Sequence, residues 1–582
     1  MKPENREGSL LKQGERQRLE VLRSQLDVER STFIGHWRDL ADHFAPRRAR
    51  FTLTESNRGE KKNQKIIDST GTQASNILRA GMMSGITSPA RPWFRLGTKD
   101  SDLNEFGPVR RWLDDVQRIL MASMGKSNLY NSLSVCYGDL GIFGTAPISV
   151  EEDLFGDVFH TQSYPVGSYM LGKDYKGRIN VFVRDFRMTV RQVIEKFAVV
   201  DNEIDWDVVS HQVKNMWERG QSEQWVDICH AITPNPDYDP DKAESKFKKW
   251  KSVYYERGFS TGGQNLTAGL SDKVLSEKGY DMFPILAPRW GLTGEDVYGT
   301  QCPGMDSLGD VRQLQLGERR SFEAIEKMMR PPMIAPASMQ NKHASILPGD
   351  ITYIDVRDGQ QGFRPAYQVD FPIKDMEFKQ DQARARIQRA FYADLFLMLA
   401  NDTRSNITAT EIAERKEEKL LALGPVLEQL NFDVLDPLID LVFEYHLRQD
   451  LLPPAPEEIA GMPLKVEYIS VMAQAQKLIG IAGIERFAGF VASTAGVDPR
   501  ILDKIDTDQL IDVYADMLSV PASIVRSDDD VASMRQQKAQ AEQAAAAAQQ
   551  MQAVSQSVKN LGQAQVGGDT ALTEMLDMVR GV

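Results

Sequence analysis

Two long helical runs on either side of a proline-bounded excursion constrain this chain more than any other feature. The first runs from about Asp306 to Arg330, with Leu308, Val311 and Leu314, then Phe322, Ile325 and Met329, at helical spacing. Pro331-Pro332 ends it, because proline lacks the amide hydrogen and its ring collides with the preceding turn. The second spans about Lys374 to Leu399. There Ala383, Ile387, Phe391, Leu395 and Met398 form one apolar face, and Arg384, Arg386 and Arg389 occupy others. The insert between them, 331–372, holds short strand-like pieces such as Ile351–Ile354.

A polar segment from Ala400 to Asn406 follows and leads into Thr408-Ala-Thr-Glu411. That spacing fits a capping box: Thr408 accepts from the amide three residues on, and Glu411 reaches back. A long helix is expected after it, with Ile412, Leu420, Leu423, Leu427 and Leu430 inward. Gly424-Pro425 and Asp436-Pro437 should kink it, and Pro453-Pro454 closes the region.

Upstream, Leu22, Leu26, Phe33, Trp37, Leu40 and Phe44 make a helical stripe that Pro46 stops. Residues 47–62 read as polar loop. Ile66 to Ile86 reads as a helix rich in small residues, and further helices are expected over Pro108–Met124 and Leu129–Phe143. The period then changes. Ile179–Phe186, Trp225–Ile232 and Trp250–Tyr255 suit strands, and Asn235 to Asp241 suits a turn-rich hairpin tip. The C-terminal part reads as helical, with breaks at Pro499 and Pro521. Residues 536–555 are almost entirely Gln and Ala, which predicts either a helix able to pack against copies of itself or a frayed tail.

At 582 residues the chain is too long for one core, and about three to five domains are expected. Cys136, Cys229 and Cys302 form no CxxC pair, which fits a reducing interior. No run of about 18 apolar residues exists to span a bilayer. The first seven residues have no apolar core, so no secretory signal is expected there. Net charge is −13 and no long basic stripe appears, which argues against a protein built to grip phosphates. An acidic chain can still let DNA slide past.

Chemical signatures fail one by one. Gly125-Lys126-Ser127 resembles the end of a phosphate loop, but Leu120 stands where a glycine is needed and the preceding segment reads as helix. Gly81 to Gly85 is not a nucleophile elbow; a small-residue helix contact is the plainer reading. His36, His43, His160, His211, His230, His343 and His446 make no zinc spacing. Asp237, Asp239 and Asp241 begin like a calcium loop, but Lys242 and Lys248 hold the positions that need Gly and Glu. Asp528-Asp529-Asp530 reads as a helix start. No catalytic residue, cofactor or metal is expected.

Several stretches together resemble the podovirus head-to-tail connector (portal) family. They are Gly71 to Pro89 with Trp93-Phe94, Tyr164-Pro165 through Phe186 as a strand pair followed by a helix near Met188-Thr189, and Arg289-Trp290 with Tyr298-Gly299 and Leu308-Gly-Asp310. Thr408 to Glu411 with Leu423-Gly-Pro425 completes the set. The likeness covers most of residues 20 to 450 and fades beyond about 470. It implies a mixed α+β, predominantly helical subunit with wing, stem, clip and crown regions, closing into a ring, dodecameric in that family, at one capsid vertex. The regions implied are a helical part of the wing (1–150), a β-rich wing domain (151–300), a first stem helix (301–330), the clip (331–372) and a second stem helix (373–398). A channel loop (399–407), a long kinked wing helix (408–465) and a helical crown (466–582) follow.

The implied partners are further copies of the chain, the terminase packaging motor, tail adaptor and tail proteins, major capsid and scaffolding proteins, and double-stranded DNA held non-specifically. The implied place is the virion, after assembly in the host cytoplasm, with no membrane. Arg384, Arg386, Arg389, Asn401, Arg404 and Asn406 are the candidate DNA-channel contacts, against the alternative that the arginines make ordinary subunit salt bridges. A ring is a heterologous interface that closes on itself, and an amphipathic helix pair can supply both subunit contacts and channel wall. Two rivals remain at this point: an enzyme of a packaging complex, which needs a carboxylate cluster or intact phosphate loop, and another phage structural protein, such as a tail adaptor or ejection protein.

Overall fold

The computed structural model describes residues 15–53, 59–100, 103–104, 106–154, 156–200, 203–258, 260–261, 264–265, 274–334, 364–365, 372–400, 423–459, 461–469, 487–491, 493–494, 509–511, 514, 528–563, 565–566 and 569–570. They are a mixture of helix and strand, as expected. The chain divides into two units: 1–95, 116–453 and 466–476 form the first, and 96–115, 454–465 and 477–582 the second.

In the first unit, helix α1 (Glu15–Phe44) buries Leu26, Trp37, Leu40 and Phe44 along the expected stripe and ends two residues before Pro46. Trp37 meets Tyr298 nearly edge-on, with centroids 5.1 Å apart. Helix α2 (Thr70–Gly85) is the small-residue helix. Its glycines permit close approach: a Cβ on Gly81 would stand 2.1 Å from the Phe396 ring. The Gly81 to Gly85 stretch is therefore a packing surface. Gly125 and Lys126 are the last residues of helix α3 (Gly107–Lys126), not a strand-to-helix loop. Helix α4 (Leu129–Phe143) is mostly buried and stops at Gly144, whose φ of +78° suits glycine. The backbone of Gly299 lies against this turn, so closely that a Cβ there would come within 2.1 Å of the Gly144 carbonyl oxygen.

Strands β1 (Ile148–Asp153) and β2 (Val158–Ser163) pair antiparallel. A five-stranded antiparallel sheet follows, from β3 (Tyr169–Lys173), β4 (Ile179–Thr189), β5 (Trp225–Pro234), β6 (Trp250–Gly258) and β7 (Ser276–Tyr280), in the spatial order β7-β6-β5-β4-β3. Strand β8 (Ile285–Leu286) joins β1 to complete a three-stranded sheet. Side chains alternate across the five strands. Met170, Val183, Cys229, Val253 and Tyr255 face Leu19 and Leu26 of α1. The other face carries Val226, Ile228 and Tyr254, covered by Val190, Val193, Ile194, Phe197, Val208 and Val213. The covering segment begins where Thr189 and Gln192 cap each other's amides at 3.3 and 3.0 Å. It then runs through a π-turn (Ile194–Ala198) into helix α5 (His211–Glu218). The Asn235 to Asp241 segment is the β5–β6 connection; the Asn235 amide donates to the carbonyls of Lys246 and Lys248 at 2.9 and 2.7 Å. All three cysteines are buried and unpaired.

Helix α6 (Pro303–Met329) contains the first of the two long runs. The second differs from the expected single helix: it is α7 (Ile373–Ala390) and α8 (Ala393–Ala400), broken at Phe391-Tyr392. Tyr392 takes a left-handed φ of +54°. That conformation costs about 1–2 kcal/mol for an L-residue. Packing offsets it: Phe391 is fully buried with its ring 5.5 Å from Phe44, and Tyr392 lies 6.3 Å from Trp290. Ala383, Ile387, Phe391 and Leu395 are buried, so the apolar face survives the break. Of the insert, Met333–Ile334 pairs antiparallel with Arg364–Pro365; Ile351–Ile354 lies outside the described residues.

Residues 423–430 are helical, then a π-turn (Asn431–Leu435) leads into helix α9 (Asp436–Arg448). Pro437 explains the turn. It cannot donate to the carbonyl four residues back, and its ring would press on it. Asp433 in that turn is clamped from outside: the backbone amide, Nε and Nη2 of buried Arg289 donate to its carboxylate at 3.1–3.2 Å.

In the second unit the Gln/Ala tract is helical, within helix α10 (Asp528–Gln563), which opens on the three aspartates as expected. Every described side chain of it from Ala532 onward is exposed. Among the described residues no helix is long and apolar enough to cross a membrane.

Candidate functional site

Helices α6 and α7 lie antiparallel, as three links of decreasing number on one and increasing number on the other show. Arg386 pairs with Asp310 at 2.7 Å, Arg384 with Glu318 at 2.5 Å, and the Gln380 amide donates to Ser321 Oγ at 3.0 Å. The half of α6 nearest its start is built into its own chain. Leu308, Val311 and Leu314 are buried. Gln315 Oε1 accepts from the amides of Ile67 and Asp68 at 2.6 and 2.8 Å, and its Nε2 donates to the Asp68 carbonyl at 2.8 Å. Arg384 ties the same point to α7 by donating to Asp68 at 3.0 Å. Burial alone would raise the Asp68 carboxyl, but hydrogen bonds from Thr70 and Arg384 outweigh it and hold the group below its ordinary value.

The far half is different. Phe322 is 64% exposed, Met329 73% and Phe378 64%, and Leu316, Met328, Met333 and Ile334 are exposed with them. Between the helices runs a groove of about 180 Å³ lined by Leu314, Leu316, Gly317, Met376, Gln380 and Ala383, with Arg320 and Lys379 also on its wall. Scattered apolar side chains need no explanation, but these cluster along one helix pair and the strand after it.

Of the candidate DNA contacts, the structure places three on α7. Arg384 and Arg386 are engaged in the ion pairs above, within one chain. Arg389 is exposed. Asn401, Arg404 and Asn406, and the cap residues Thr408 and Glu411, lie outside the described residues. Asp68, Asp310, Gln315 and Glu318 were not anticipated. Asp68 is 316 positions from Arg384, and no local spacing signals such a pair. Among the described residues no group of three or more His, Cys, Asp or Glu could hold a metal ion.

The described residues thus combine a five-stranded sheet with an antiparallel helix pair, one half of which is buried in its own chain. The chain belongs to the family of bacteriophage head to tail connecting proteins, whose model matches residues 16–525. It is 45% identical to the portal protein of Salmonella phage epsilon15, across 96% of this chain and 97% of that one. It is 41% identical to a probable portal protein of Bordetella phage BPP-1, across 97% and 99%. A chain from the virion of a native gene transfer agent particle aligns over 72% of this chain and 96% of its own, at 12% identity and a TM-score of 0.30, too distant to carry an argument.

Proposed function

We propose that this chain is a portal subunit: copies of it close into a ring at one capsid vertex, through which the genome is packaged and later released. The observation that carries the reading is identity of 45% and 41% over nearly the whole length of two proteins that bear that name. The helix pair supports it physically. Its far half leaves apolar side chains in water in the single chain, and a second copy is the simplest cover for them.

On this reading α6 and α7 are the stem, 331–372 the clip that meets the terminase and then the tail, and 399–407 the channel loop. Residues 1–300 together with 408–465 make the wing, and 466–582 the crown. Arg389, Asn401, Arg404 and Asn406 are the candidates to touch DNA; Arg384 and Arg386 are largely neutralised by their own chain. With −13 on every copy, most of the assembly repels duplex, which favours passage over retention. The role is mechanical, with no chemistry assigned to any residue. Negative-stain imaging of the purified chain tests it: a ring with a central hole is the expected result, and a lone globule, even with capsid and scaffolding partners present, would overturn it.

A further inference from the structure

Most buried or half-buried cations of the first unit have carboxylate partners in their own chain. Arg23 and Arg257 share Asp185, Arg48 meets Asp139, Arg187 meets Asp227, Lys251 holds Glu15 and Glu277, and Arg289 holds Asp433. One cluster breaks this pattern. The sheet register sets Arg184 opposite His230, His230 opposite Tyr254, and Ser252 opposite Lys278, so these side chains share the face away from α1. Lys196 reaches the same place from the π-turn, 5.3 Å above the Tyr254 ring. Arg184 is sandwiched 4.7 Å from the Tyr164 ring and 4.5 Å from Phe186.

None of Arg184, Lys196 and Lys278 makes an ion pair among the described residues. Glu151 acts on Lys196 without pairing with it, and three cations with no ion pair among the described residues leave the seam positive. Two buried nitrogens, Arg184 Nε and His230 Nδ1, have no hydrogen-bond partner. His230 stacks on Tyr254 at 3.8 Å and contacts Ser252 Oγ at 2.9 Å. Burial, with the three cations around it, keeps it neutral. Lys196 and Lys278 are exposed, and β7 is an edge strand, so the seam opens on the surface.

We propose that this seam receives carboxylates from the acidic surface of a second copy of the chain, a contact that rests on the ring reading above. Three points favour that occupant. The chain carries 82 acids against 69 bases, so an approaching copy presents mainly carboxylates. A ring interface is heterologous, so it sets one surface against a different one and calls for complementary charge, not self-matching patches. Nucleic acid fits less well, because a positive spot within a chain of net charge −13 lies in a repelling field.

The test replaces both exposed lysines, Lys196→Glu with Lys278→Glu, and follows ring formation by sedimentation velocity. Lys278→Glu alone, on the edge strand β7, should leave the monomer's thermal unfolding at the parent's value, and it keeps the test readable if loss of the Lys196 contact with the Tyr254 ring lowers it in the double variant. The concentration needed for half-assembly should rise roughly tenfold, and the dependence of assembly on salt between about 0.05 and 0.5 M should flatten. The milder pair Lys196→Gln with Lys278→Gln should fall between. A reversed variant that assembles like the parent at every salt concentration overturns the proposal and leaves the ring reading intact. Unchanged assembly with weaker binding of a short DNA duplex overturns it in favour of nucleic acid. A parent that forms no ring removes both.

Discussion

The two halves of helix α6 share a helical period and a similar apolar content, yet they belong to different structures. From Pro303 to Gln315 the stripe is buried against residues of its own chain, and Gln315 is hydrogen-bonded to Ile67 and Asp68, just ahead of α2. From Leu316 to Met329, Leu316, Phe322, Met328 and Met329 stand in water and Ile325 is half-buried. The difference teaches that periodicity reports a surface to be covered, not what covers it. The near half answers to the chain's own stability and, on the proposed function, the far half to association.

That division is breakable. The largest effect is expected at Leu314→Ala, which empties a fully packed site and should cost about 2–5 kcal/mol in urea unfolding of the monomer. Gln315→Ala leaves the amides of Ile67 and Asp68 without their acceptor and should cost about 1–3 kcal/mol by the same measurement. Asp68→Asn should act through pH. The Asp68 carboxyl is held below its ordinary value of 3.8, so its contribution is present above that pH and lost as pH falls through the folded-state value. The thermal stability gap between parent and variant should therefore be full near neutrality and close in acid. The smallest effect on the monomer belongs to the double change Phe322→Ala with Met329→Ala, within about 0.5 kcal/mol of the parent. If those two changes unfold the monomer, or if Leu314→Ala leaves it untouched, the proposed division is wrong. On the proposed function, the same double change should raise the concentration for ring formation at least about fivefold, as loss of buried interface side chains does.

Much of the fold was legible. Leu129–Phe143 ends where its apolar run meets Gly144, β4 to β6 start at Ile179, Trp225 and Trp250 as their period-two patterns indicated, and α10 opens on the aspartates. The break at Tyr392 was not legible, because tyrosine carries no signal for a left-handed backbone; only the packing of Phe391 and Tyr392 stabilises it. The π-turn before Pro437 was half legible: the proline announced a disturbance but not its form. The candidate site was least legible. The apolar faces of α6 and α7 could be read, and Asp381 stands at helical spacing from Arg384, but Asp68, Glu318 and Asp310 reach Arg384 and Arg386 from distant stretches of chain that only folding brings near.

Helix α10 has a consequence of its own. Thirty-six residues at 1.5 Å each make a rod about 54 Å long. Its described side chains from Ala532 on gain little from burial in this chain, so alanine's backbone preference and local hydrogen bonding largely sustain it. Such a rod shortens from its ends, turn by turn, as it is warmed, instead of collapsing at one temperature. The far-ultraviolet dichroism of the isolated subunit should therefore decline along a gentle slope well before the packed body melts.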